Sequence, residues 1–122
     1  MTIKPGKLLI IEDHPIVGQG LLGALRAHGY EEIYEAANCA EGRGQIAKIN
    51  PDIIVTDLHL PDGLSFDVIR WAREIKPSIA VIILTVESNP NFLIAAAHSG
   101  ANALIHKSAP IAQLTSAINV AL

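Results

Sequence analysis

Five side chains suited to chemistry each stand at the end of a short apolar run. Glu12 and Asp13 follow Lys7–Ile11, Asp57 follows Pro51–Thr56, Thr85 closes Ile79–Thr85, and Lys107 comes directly after Ala103–His106. Two carboxylates held about 4 Å apart repel by roughly 4 kcal/mol at an effective dielectric near 20, so three gathered in one place need a cation or shifted pKa values. Short, hard oxygen donors suit Mg²⁺, which takes one or two protein carboxylates and leaves positions for water and phosphoryl oxygens. Asp13 and Asp57 are the expected direct ligands, with Glu12 acting through water and the backbone carbonyl of His59 supplying a further oxygen. An ammonium and a hydroxyl beside such a cation suit the equatorial oxygens of a phosphoryl group, which gives Lys107 and Thr85 their roles. Asp57 is then placed as a nucleophile whose carboxylate takes the phosphoryl group as an aspartyl phosphate. Taken singly, Asp57 reads as a helix N-cap, Glu12–Asp13 as a polar loop start, Thr85 as strand filler and Lys107 as a solvated lysine. Their joint placement favours a site.

That placement depends on the elements in between. The runs Lys7–Ile11, Pro51–Thr56, Ile79–Thr85 and Ala103–His106, with a weaker one at Ile33–Ala36, are nearly continuous in Val, Ile and Leu. Strands buried on both faces of a parallel sheet require this pattern. Helical spacing fills the gaps. The first helix opens at Pro15 and stops near Gly29, with Val17, Leu21 and Leu25 on one face; Gly18, Gly20 and Gly23 weaken it, so packing must hold it. Asn38 and Glu41 have capping-box spacing for a second, which turns Ala40, Ile46 and Ile49 inward. Ser65 is positioned to cap a third that ends at Lys76-Pro77. Asn89-Pro90 starts a fourth closed by Gly100, and Pro110 starts a fifth carrying Ile111, Leu114, Ile118 and Leu122. Five βα units with right-handed crossovers make one doubly wound α/β domain spanning residues 1–122. Ligands of such sheets bind beyond the carboxyl ends of the strands, where the candidate residues lie.

Composition narrows the function classes. The 122 residues are half apolar and 17% charged, enough for one real core without staples or a structural metal. A net charge of −3 argues against a domain that itself grips nucleic-acid phosphates. No apolar run reaches the roughly 18 residues of a membrane span. Met1–Gly6 lacks the apolar core of a signal peptide, and Cys39 is the single cysteine, so a reducing, cytoplasmic setting and no membrane partner are expected.

The stretches Leu8-Leu9-Ile10-Ile11-Glu12-Asp13-His14-Pro15, Thr56-Asp57-Leu58-His59-Leu60-Pro61 and Leu84-Thr85, with Lys107 after Gly100-Ala101, closely resemble the receiver domain of two-component response regulators. The resemblance runs over essentially the whole chain. Asp13-His14-Pro15-Ile16-Val17 followed by Gly20-Leu21 looks most like receivers that precede a LuxR-type (NarL-type) helix-turn-helix domain. The resemblance implies a flavodoxin-like fold with strand order 2-1-3-4-5 and helices on both faces. It also implies phosphoryl transfer to Asp57 from a sensor histidine kinase or phosphotransfer protein, with Mg²⁺ held by Glu12, Asp13 and Asp57. Lys107 would bind a phosphoryl oxygen and Thr85 would turn toward the group. The readout would be a switch in the face built from the fourth helix, fifth strand and fifth helix, controlling transcription through an output domain outside this chain. DNA would be met only through that domain. The chain would assist its own phosphorylation without being a turnover enzyme.

Several positions depart from that family pattern. An aromatic usually stands three before the lysine, and here it is Leu104. An acidic residue and a glycine usually stand seven and eight after the phosphoacceptor; Leu64 and Ser65 occupy those places, and Gly63 takes over the positive φ of the loop. Val86 replaces the small residue after the threonine and is expected to restrict access. His59 and Glu87, two beyond Asp57 and Thr85, are within reach of the hydrolytic water and are expected to set the lifetime of the phosphoryl group.

The five histidines lack zinc spacing; His28 and His98 read as surface or helix-end residues, while His14 orders the loop after Asp13. Ala95, Ala96 and Ala97, with any surplus apolar surface of the fifth helix, are a candidate homodimer face. Other functions fit the doubly wound fold less well. A pseudo-receiver that only binds proteins is the chief alternative. A flavin carrier needs a donor-rich loop where Glu12-Asp13-His14-Pro15 is acidic. An aspartate-nucleophile phosphatase would have a second aspartate at His59.

Overall fold

The computed structural model describes residues 4–122; the first three, part of the Met1–Gly6 stretch discussed above, lie outside the described residues. The elements follow in the order β1 Lys4–Ile11, α1 Pro15–Ala27, β2 Tyr30–Ala36, α2 Cys39–Ile49, β3 Ile53–Asp57, β4 His59–Leu60, β5 Gly63–Leu64, α3 Phe66–Ile75, β6 Ala80–Thr85, α4 Pro90–His98, β7 Ala103–His106 and α5 Ile111–Ala121. Five strands form one parallel sheet in the order β2-β1-β3-β6-β7. Numbering only the strands of that sheet turns this into the expected 2-1-3-4-5.

Period-two alternation divides the central strands between two cores. Leu8, Ile10, Val55, Ile82 and Leu84 pack with Leu25 of α1 and Leu114 and Ile118 of α5. Leu9, Ile11, Ile54, Val81 and Ile83 pack on the other face with Ile46 of α2, Val68, Ile69 and Ala72 of α3, and Ala96 of α4. Both faces are therefore covered, as the continuous apolar runs require. The exception is β2, an edge strand with exposed Glu31, Glu32 and Glu35, which explains its weak sequence signal.

Local details depart from the expectations in physically readable ways. Ser65 precedes α3 but has helical backbone angles and makes no side-chain cap; its amide donates to the Leu58 carbonyl at 3.0 Å, and its hydroxyl is buried without a partner. Ala40 faces outward, because the inward stripe of α2 is Cys39, Gly42 and Ile46. A side chain at Gly42 would place its Cβ 2.8 Å from Ile11 Cδ1, so that stripe must include a glycine for α2 to lie this close to β1. Asn38 does cap α2, its side-chain oxygen accepting from the Glu41 amide at 2.8 Å. On α1 and α5, Val17 and Leu122 are exposed rather than core residues. Pro110 stands just before α5 instead of within it.

The hairpin of β4 and β5 was not anticipated. Gly63 carries the positive φ expected of it, at 142°. Asp62, at the hairpin tip, accepts from the Cys39 amide at 2.7 Å and the Ala40 amide at 3.0 Å, so the loop after β3 is tied to the start of α2. Burial first, and then the neighbouring Asp62, push the Cys39 thiol up to about 11, which leaves it unreactive at neutral pH.

At the far end of α3, Arg73 bridges three segments. It donates to the carbonyls of Pro77 and Ile79, to Gly100 O at 2.6 Å and to Asn102 Oδ1 at 2.7 Å. Asn102 Oδ1 also accepts from the Val81 amide at 2.8 Å, joining α3 to the β6–β7 edge. Arg73→Met keeps the stem and leaves these acceptors unpaired. It is expected to lower unfolding stability by about 2 kcal/mol in urea titration, with an unchanged dependence on denaturant. An unchanged midpoint would show that water replaces the guanidinium without loss.

Candidate functional site

The register of the sheet gathers the predicted residues at one end. Ile11 lies beside Thr56, Asp57 beside Leu84, and Thr85 beside His106. The residues that end or directly follow β1, β3, β6 and β7 therefore share one edge. Glu12 is fixed by its amide to the Ala36 carbonyl at 2.9 Å, and Lys107 by its amide to the Thr85 carbonyl at 2.8 Å. Asp57 is 3% exposed, Thr85 4% and Glu12 8%. A cleft of about 120 Å³, lined by His14, Asp57, His59, Thr85, Val86 and Lys107 among others, opens above Asp57.

Within the cluster each charge has a definite neighbour. Lys107 Nζ lies 2.8 Å from Asp57 Oδ1 and donates to Glu12 Oε2 at 3.1 Å. The other Glu12 oxygen accepts from the His14 amide at 3.0 Å and is 2.9 Å from His14 Nδ1. His14 thus orders the turn after β1, as expected from the sequence. Burial, and then the proximity of Glu12, push the Asp57 carboxyl up to about 7 despite the ammonium beside it. Burial would raise Glu12 as well, but the proximity of Asp57 and the bonds with His14 and Lys107 outweigh burial and hold it below the usual carboxylate range. Burial would lower the Lys107 ammonium, but the two carboxylates outweigh it, so Lys107 stays charged.

The donor set fits a small, hard cation. Ligand atoms of Glu12, Asp13, His14 and Asp57 lie within 4.8 Å of one another. Asp13 Oδ1 and both oxygens of Asp57 are buried without a hydrogen bond. Buried carboxylate oxygens left in that state are costly unless something positive is coordinated there. Glu12 already serves His14 and Lys107, Lys107 also reaches Asp57 Oδ1, and His14 Nδ1 lies 3.2 Å from Asp13 Oδ1, so Asp57 Oδ2 is the buried carboxylate oxygen of the cluster with neither a hydrogen bond nor an ion pair.

At the rim, Val86 is 68% exposed and borders the cleft. His59 and Glu87, read separately from the sequence, meet: His59 Nε2 is 3.1 Å from Glu87 Oε1. The signal was available, since each stands two residues past one of two neighbouring strand ends. Asp62 was the residue missed, because its partners lie in α2, more than twenty positions away.

A family model described as Response regulator receiver domain matches residues 8–119. The chain belongs to that family. Among curated relatives of this receiver domain, the KDP operon transcriptional regulatory protein KdpE of Escherichia coli (strain K12) is 34% identical over 115 residues, covering 94% of this chain and 50% of that protein. The Methanol utilization control regulatory protein MoxX of Paracoccus denitrificans is 28% identical, covering 93% of the chain and 52% of its own length. The chain thus spans about half the length of these relatives. The crystal structure of a LuxR-family two-component response regulator from Aurantimonas sp. SI85-9A1 superposes with a TM-score of 0.86 at 29% identity, covering 96% of this chain and 84% of that one.

Within the receiver fold, the departures named above are now located. Leu104 is half-buried in β7 and packs against the same core as Phe92 of α4. Of the three alanines proposed for a dimer face, Ala96 is 1% exposed and belongs to the core, which leaves only Ala95 and Ala97 at the surface. Among the described residues no helix is long and apolar enough to cross a membrane.

Proposed function

We propose that this receiver domain is a phosphorylation switch whose acceptor is Asp57. The observation that carries the reading is the Asp57 carboxylate itself: nearly fully buried at the floor of an open cleft, with Oδ1 2.8 Å from the Lys107 ammonium and Oδ2 without a polar partner. Such an oxygen is positioned to attack phosphorus. The bond from phosphorus to the donor breaks, and the leaving group, an imidazole nitrogen when the donor is a histidine kinase or phosphotransfer protein, departs with the electron pair. Lys107 would neutralise charge on a phosphoryl oxygen and Thr85 would donate its hydroxyl to another. Asp13 and Asp57 would hold Mg²⁺ with the His59 carbonyl, while Glu12 would contribute through water and keep Lys107 and His14 in place. When bound, Mg²⁺ supplies charge neutralisation and orientation of the phosphoryl oxygens.

The modification adds about one negative charge to the strand ends. Its readout would be a population shift in α4, β7 and α5. The transcriptional regulators among the relatives support a DNA-binding output acting downstream of a kinase. A cytoplasmic setting and self-assisted phosphotransfer, rather than turnover of an external substrate, accord with this role.

Intact mass after incubation with acetyl phosphate or a phosphorylated donor protein tests the reading. The expected result is a gain of about 80 Da that requires Mg²⁺ and is absent in Asp57→Asn. If neither donor labels the protein and beryllofluoride does not bind, the domain is a pseudo-receiver that acts through constitutive protein contacts.

A further inference from the structure

One contact chain leaves the site for α4 and passes through Glu87. The Glu87 amide donates to Thr85 Oγ1 at 2.8 Å. One carboxylate oxygen accepts from the amides of Ser88 at 3.1 Å and Asn89 at 3.3 Å. Asn89 in turn caps α4, its side-chain oxygen accepting from the Asn91 amide at 2.9 Å. The other carboxylate oxygen of Glu87 meets His59, whose ring stands edge-on to Phe92 of α4 with centroids 5.3 Å apart. Phe92 packs against the core cluster that also receives Leu104.

We infer that Glu87 is a positioning residue, a clasp that carries the state of Thr85 to α4 through the β6–α4 loop and through His59 and Phe92. The inference rests on the proposed phosphorylation of Asp57. A χ1 rotation that carries Thr85 Oγ1 toward a phosphoryl oxygen takes it away from the Glu87 amide and breaks that hydrogen bond. Releasing that amide loosens the carboxylate that organises Ser88 and Asn89 and holds His59, and His59 is the side chain touching Phe92. Leu104 has no ring to swing between two positions, so the coupling to α4 has a route here that bypasses the β7 aromatic. Two separate contacts support it: the Glu87 backbone amide reaches Thr85, and the Glu87 carboxylate reaches His59, whose ring touches Phe92.

Amide spectra of the ¹⁵N-labelled chain, recorded with Mg²⁺ and then with saturating beryllofluoride, test the clasp in wild type, Glu87→Ala and Glu87→Gln, with Asp57→Asn as the blank. Wild type should show beryllofluoride-dependent shifts at Asn91, Phe92 and Leu93 and at the His59 ring. At saturation Glu87→Ala should retain less than about one third of the α4 response, the weight of one lost hydrogen-bonded link. Glu87→Gln, which keeps an acceptor for Ser88 and Asn89 and a polar partner for His59, should restore most of it. A full α4 response in Glu87→Ala, with beryllofluoride bound, overturns the clasp and leaves the phosphorylation reading standing. No Asp57-dependent beryllofluoride binding in wild type overturns both.

Discussion

Lys107→Met should bind Mg²⁺ more tightly than wild type while taking up a phosphoryl group far more slowly. The ammonium is 2.8 Å from Asp57 Oδ1 and 3.1 Å from Glu12 Oε2, so it already neutralises part of the charge that draws a cation. Without it, three carboxylates face the cation with no internal competitor, and affinity should rise about three- to tenfold at low ionic strength. The transition state loses a fixed positive charge where negative charge develops on the phosphoryl oxygens. Removal of one such preorganised donor lowers rates on the order of 10²- to 10³-fold. Titration calorimetry with Mg²⁺ and the time course of the mass gain measure the two effects on the same preparation. A merely structural lysine would move both in the same direction, through loss of folded protein. Labelling at the wild-type rate would remove Lys107 from the phosphoryl site.

The site was legible before the fold was seen because a parallel sheet converts sequence position into spatial position. Each apolar run ends at the same edge, so Asp13, Asp57, Thr85 and Lys107, spread over 95 positions from Asp13 to Lys107 in a single count, are neighbours as soon as the runs are strands. Asp57, the last residue of β3, lies beside Leu84 in the register, one residue before Thr85, the last of β6. Elements without a period were not legible. The strands β4 and β5 are two residues each, too short for alternation to register, and the hairpin is held by Asp62 reaching back to α2. Ser65 stands at the N-cap position its signal named, but its backbone is already helical, at φ −72° and ψ −5°, rather than extended, and its side chain makes no cap. Val17 had helical spacing with Leu21 and Leu25 yet lies outside the core, since periodicity names a stripe but not how far a helix end projects beyond the sheet.

Asp57→Asn should stabilise the metal-free protein at alkaline pH, although it abolishes phosphorylation. In the fold, burial and Glu12 raise the Asp57 carboxyl from 3.8 to about 7. A folded-state pKa above the unfolded one means that the native protein holds a proton the unfolded chain has released. The favourable contribution is fully present below about pH 4 and is lost as pH rises through about 7. At pH 8 the native state therefore confines an extra buried charge, a penalty on the order of 2 to 4 kcal/mol with part of it shared with Glu12. Asparagine has nearly the same shape and no charge to confine. In EDTA at pH 8 the variant should melt roughly 8 °C above wild type, and at pH 4.5 within about 2 °C of it. Millimolar Mg²⁺ should narrow the gap at pH 8, because a cation held by Asp13 and Asp57 stabilises the wild-type carboxylate and gains less from the amide. Equal melting temperatures at pH 8 in EDTA would mean that Lys107 alone neutralises Asp57, and that the cluster holds its charges without strain until the phosphoryl group arrives.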